Sequence, residues 1–126
     1  MPSDMRRAVG IKGEEEAARF LARSGLAILD RNVRTRAGEI DLVAREGRTI
    51  VFVEVKTRRD LEGEPPQAAV NTRKQNRLGR LAQGYLKSKR IRQSPCRFDV
   101  VSVIVNEEGG VKAIRHIPNA FSVSPW

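Results

Sequence analysis

The sequence predicts an α/β sandwich, a central mixed sheet flanked by helices, with elements in the order αβββαββ. Three observations predict it. The runs "GEIDLVA", "TIVFVEVK" and "CRFDVVSVIV" have the alternation and β-branched content of strands. Two other segments, Lys12 to Ser24 and the stretch opening at Thr72, space their apolar residues as helices do. Turn signals, "REGR" and "NEEGG", separate neighbouring strands. Neither a helical bundle nor an all-β barrel fits that order.

Taken along the chain, the first helix places Ala17, Phe20 and Leu21 on one face with Ala18 at its margin, and Gly25 is its expected C-cap. "LAILDRNVR" follows as a short strand, then the two strong strand candidates joined by "REGR". Residues 60–71 hold a Gly and a Pro-Pro pair and predict a loop, expected to be mobile. Thr72 with Gln75 three places on reads as a capping box, and Leu78, Leu81, Ala82, Tyr85 and Leu86 as the buried stripe of the second helix. "CRFDVVSVIV" and "VKAIRHI" close the sequence as strands, the last ending before Pro118.

At 126 residues the expectation is a single domain spanning 1–126, with a core of about 12–121. The longest apolar run, Ile50 to Val53, is too short to span a membrane, and no signal peptide is visible, so a cytoplasmic protein is expected. One cysteine, Cys96, excludes an internal disulfide framework and most thiolate metal sites. Charge is more informative. Lys and Arg number 24 against 15 acids. The pI near 10.8 points to a polyanionic partner, nucleic acid first. Sparse aromatics argue against a binder that stacks single-stranded bases.

Against that basic background, Glu39, Asp41 and Glu54 sit on segments that read as buried strand. A carboxylate in such a place is costly unless a cation meets it. With the turn centred on Glu46 and Gly47, Asp41 falls opposite Phe52 and Glu39 opposite Glu54, and the side chains of 39, 41, 52, 54 and 56 emerge on one side. Asp41 and Glu54 are then diagonal neighbours able to share one cation. On the first helix Glu14 leans toward the apolar stripe, unlike Glu15 and Glu16; on the second, Lys74 and Gln75 lean inward. An all-oxygen donor set favours Mg2+ or Mn2+ over Zn2+. The bland alternative is a solvated sheet face dressed with charges.

A helix-borne Glu14, then Asp41, then Glu54-Val55-Lys56 resembles the signature of the PD-(D/E)XK nuclease superfamily. "GEEEAARFL", "GEIDLVAREG", "VFVEVKTR", "RKQNRL" and "RFDVVSV" resemble the bacterial YraN-like family, which is similar to archaeal Holliday junction resolvases. The resemblance covers about Gly13 to Phe121. It implies a restriction-endonuclease-like three-layer sandwich and a Mg2+- or Mn2+-dependent endonuclease acting on nucleic acid, DNA before RNA, and branched or otherwise structured DNA first.

On that reading Asp41 and Glu54 are direct metal ligands, the Val55 carbonyl is a third, and Glu14 binds a second ion or holds a water. Lys56 orients the attacking water or stabilises charge building on phosphorus. Glu39, Lys74 and Gln75 support the site, while Arg58, Arg59, Arg73 and Arg77 grip phosphates. Asp99 is read as structural, bound by Arg97 or another basic group, and His116 as a surface or packing residue. Resolving a four-way junction would favour a homodimer with two sites. The competing readings are a nucleic-acid-binding module without nuclease activity and a domain that docks an acidic protein.

Overall fold

The computed structural model describes residues 3–59 and 70–123, with side chains described from Ala8 onward. Its elements are α1 (Ser3–Arg23), β1 (Ala27–Thr35), β2 (Gly38–Glu46), β3 (Thr49–Arg59), α2 (Thr72–Ser88), β4 (Cys96–Val105) and β5 (Val111–Phe121). This is the predicted order. The strands lie in one sheet, β1-β2-β3-β4-β5, in which only β3 and β4 run parallel. The parallel step needs a long crossover, and α2 lies within it. The loop expected over 60–71 falls, apart from Val70 and Asn71, outside the described residues.

Each face of the sheet carries its own core. Val51, Val53, Val101 and Val103 pack with Ala17, Ala18 and Leu21 of α1. Phe52, Phe98 and Val100 pack with Leu78, Leu81, Ala82, Tyr85 and Leu86 of α2. Alternation along β3 and β4 therefore feeds two helices on opposite faces, which makes the predicted three-layer sandwich. All five predicted core residues of α2 are buried, and Gly79 joins them, because a Cβ there would collide with Val123.

Two element boundaries and one helix cap differ from expectation. Helix α1 begins at Ser3, nine residues before Lys12. Its end is as predicted: Gly25 takes φ 100°, and Leu26 and Gly25 donate to the carbonyls of Leu21 and Ala22, a Schellman closure. At α2 the N-cap is Asn71, whose side chain accepts from the Lys74 N–H at 3.0 Å, so Thr72 is the first helical residue rather than the cap. Gln75 reaches back to the Val70 carbonyl instead of closing a capping box with Thr72. Strand β5 continues past Pro118. It is an edge strand, and a register irregularity between Phe98 and Val100 absorbs the residue that cannot donate.

The β2–β3 register also differs. Glu46 pairs with Thr49, so the turn is Gly47–Arg48 rather than Glu46–Gly47. Only Gly47 has positive φ, 60°, which is the φ pattern of a type II′ turn with glycine first. Val43, not Asp41, lies opposite Phe52. Continuing that register by one pair beyond Leu42 and Val53 brings Asp41 opposite Glu54, where Glu39 was expected. A slip of two residues preserves the face of every side chain within the paired stretch, which ends at Leu42 and Val53.

A candidate carboxylate site where β2 changes face

The ladder between β2 and β3 stops at Leu42 and Val53. Just beyond that point Ile40 joins the α2-side core while Leu42 joins the α1-side core. Residues two apart on a regular strand share a face, so β2 switches faces at Asp41. The carboxylate of Asp41 enters the resulting gap and accepts the Val55 N–H at 2.8 Å. The neighbouring strand is distorted at the same level. Asn32, which falls between the pairs Arg31–Leu42 and Val33–Ile40, has φ 52°.

Around this break Glu14, Glu39 and Asp41 each offer an oxygen within 4.8 Å of the others, enough to hold one ion. Glu14 arrives because α1 comes close to β3: at Gly13 a Cβ would collide with Thr57 Oγ1. The Asn32 amide, assigned with its nitrogen toward the acids, donates to Glu14 Oε2 at 2.8 Å and to Glu39 Oε1 at 2.7 Å. Arg34 approaches Glu39 at 3.8 Å. A cavity of about 450 Å³ adjoins the cluster and is lined by Glu14, Glu15, Arg31, Asn32, Arg34 and Glu39 among others.

Crowding of acids has an electrostatic signature. Burial, and then the charge of Glu54, push Asp41 up to about 8 from its ordinary 3.8; Glu14 and Glu39 add to the rise, and the Val55 hydrogen bond opposes it. Glu14 is also raised, by burial and by Glu39, with the Asn32 hydrogen bond working the other way. A site that keeps a carboxylic acid protonated near neutrality lacks positive charge, and an all-oxygen donor set of this kind fits a hard divalent cation.

The residues singled out from the sequence separate into groups. Glu14, Glu39 and Asp41 come together. Glu54 is buried and acts electrically on Asp41, but it stands outside that trio and is paired with Lys74 Nζ at 2.6 Å. Lys74 is thus an ion-pair partner of a predicted ligand, whereas Gln75 is committed to the backbone of Val70. Val55 meets the site through its N–H. Lys56, Arg59, Arg73 and Arg77 are exposed, whereas Arg58 is buried and so does not present the phosphate-gripping guanidinium expected of it. Asn32, Arg31 and Arg34 were missed. "RNVR" reads as ordinary strand, and its one weak signal is Asn32 itself, a residue type enriched in left-handed backbone and depleted in strands.

Away from the site, Asp99 is fully buried and accepts from Arg97 Nε at 3.0 Å, His116 Nε2 at 2.7 Å and the Asn119 N–H at 2.9 Å. Burial alone would raise this acid, but the hydrogen bonds from His116, Arg97 and Asn119 outweigh it and hold it below the usual range. Both sequence readings agree with this: Asp99 is structural, and His116 packs, with its ring edge-on to Phe20 at 6.5 Å.

A mixed five-stranded sheet between two helices, with acids gathered at a break in β2 and E-x-K on β3, defines the PD-(D/E)XK nuclease-like class of fold. Residues 13–103 match the model of the uncharacterised protein family UPF0102, and the chain belongs to that family, the YraN-like one. It is 46% identical over 121 residues to a UPF0102 protein of Syntrophotalea carbinolica, covering 96% of this chain and 97% of the relative. A UPF0102 protein of Symbiobacterium thermophilum is 51% identical over 117 residues, 93% of this chain and 98% of the relative. One from Dictyoglomus turgidum is 41% identical over 115 residues, 91% and 98% respectively.

Proposed function

We propose that this protein is a metal-dependent endonuclease that hydrolyses phosphodiesters in nucleic acid, DNA before RNA, with branched or structured DNA as the preferred substrate. The observation that carries the reading is the trio Glu14, Glu39 and Asp41, with oxygens within 4.8 Å of one another. It sits beside Glu54, two residues before Lys56. A formal charge of +9 supports a polyanionic substrate. The preference for branched DNA rests on the resemblance to resolvases.

Phosphodiesters resist hydrolysis because their charge repels nucleophiles and the leaving alkoxide is poor. A bound Mg2+ or Mn2+ would neutralise charge and acidify water. Asp41, Glu14 and Glu39 would supply its oxygens, and Glu54 would add to the set with Lys74 balancing its charge. Lys56 orients the attacking water and stabilises charge developing on the phosphoryl oxygens. Water adds to phosphorus, one P–O bond breaks, and the leaving alkoxide takes a proton. Arg59, Arg73 and Arg77 position the backbone without reading sequence, joined by Arg31 and Arg34 at the cavity.

A second reading is a nucleic-acid-binding module without nuclease activity, and the Glu54–Lys74 pair at 2.6 Å favours it, because it engages a predicted ligand. Titrating Mg2+ and Mn2+ against labelled duplex, forked and four-way DNA and RNA decides. Cleavage that Asp41→Ala and Glu54→Ala abolish while binding persists supports the nuclease. Salt-sensitive binding with no substrate cut by the wild type supports the module.

A further inference from the structure

We infer that Asn32 is a positioning residue: its side-chain amide clamps Glu14 and Glu39 into one metal-ready pair. The inference rests on the metal-site reading above. Four observations lead to it. Asn32 is the one described non-glycine strand residue before β5 with positive φ, 52°, a conformation that asparagine tolerates better than most residues with a Cβ. It occupies the level of β1 at which β2 changes face, between the pairs Arg31–Leu42 and Val33–Ile40. Its amide, assigned with the nitrogen toward the acids because the opposite orientation would set its oxygen against two carboxylates, donates to Glu14 Oε2 at 2.8 Å and to Glu39 Oε1 at 2.7 Å. The two carboxylates come from α1 and β2, elements joined at this point by no backbone ladder.

The physical case is one of like charges. Two acids within 4.8 Å repel, and left alone each rotates toward water. An amide has two N–H donors and no net charge, so it bridges the pair without neutralising it. The acids are held close and still short of a cation. A lysine there would fill the site with its own charge, and a β-branched residue would resist the left-handed backbone. Asn32 is otherwise exposed, with no packing role to explain it. Partners that orient metal-binding carboxylates are worth about ten- to a hundred-fold in metal affinity where they have been removed from other sites.

The test separates the amide from the backbone. Asn32→Gly keeps the left-handed conformation and removes the side chain; Asn32→Ala removes the side chain and strains the backbone. Mn2+ binding to each full-length variant is measured by calorimetry, alongside thermal unfolding without metal. The expected result is an Mn2+ affinity about ten-fold or more weaker in Asn32→Gly with its folding intact, and a further loss of stability in Asn32→Ala. In metal-free NMR the Asn32 side-chain NH2 should exchange slowly and shift in both Glu14→Ala and Glu39→Ala. Wild-type affinity in Asn32→Gly would overturn the inference alone, as would an NH2 signal indifferent to both glutamates. A wild type that takes no Mn2+ would instead sink the metal reading, and the positioning role with it.

Discussion

Asp41 gathers the site's electrostatics into one side chain. Folded, it keeps its proton up to about pH 8; unfolded, it would lose it near the ordinary 3.8. Between those values the folded chain binds the extra proton, so this group makes the protein less stable as pH rises through that window. Thermal melts without metal should therefore show a midpoint falling from pH 5 to pH 8. Asp41→Asn, which keeps an oxygen for the Val55 N–H, should flatten that fall and be the more stable protein at pH 8. An unchanged slope in the variant would show that the carboxyl is not carrying the burden assigned to it. Asp99 has the opposite sign, but its contribution is lost only as pH falls below the carboxylate range, outside this window. Divalent metal, which displaces the Asp41 proton, should bind more tightly as pH rises over the same span.

The elements that hold these side chains were unevenly legible in the sequence. Strands β3 and β4 are buried on both faces, so their apolar runs announced themselves, and β4 spans the predicted Cys96–Val105. The cap of α2 was missed by one residue because Asn71 and Thr72 are both good caps, and only backbone geometry decides which one turns its oxygen inward. The hairpin register was missed because a single glycine serves either turn position. The face switch of β2 left no trace at all, since Ile40 and Leu42 look alike in sequence and part company only in three dimensions. Two substitutions probe this level. Asn71→Ala should cost about 1 kcal/mol in denaturant unfolding by orphaning the Lys74 N–H. Gly13→Ala should push α1 off Thr57, costing about 1–3 kcal/mol and weakening Mn2+ binding, because Glu14 rides on the displaced turn.

Across the whole molecule, a sandwich that buries apolar side chains on both sheet faces still carries a formal charge of +9. Among the described residues no helix is long and apolar enough to cross a membrane. The excess of Lys and Arg predicted a polyanionic partner from composition alone; which cations face it is a matter of surface position. If Arg59, Arg73 and Arg77 each contact one phosphate of duplex DNA, affinity should fall about 40-fold between 50 and 200 mM salt, and each Arg→Ala should reduce that slope by about one. A flat salt dependence would place the nucleic acid elsewhere or nowhere. The most direct measurement for the account as a whole is a crystal soaked in Mn2+ and recorded at the manganese edge. The account predicts an anomalous peak within coordination distance of the Asp41 carboxylate, shared with Glu14, Glu39 or Glu54. A fully soaked crystal with no peak there, or with manganese bound only at a site that omits Asp41, would contradict it.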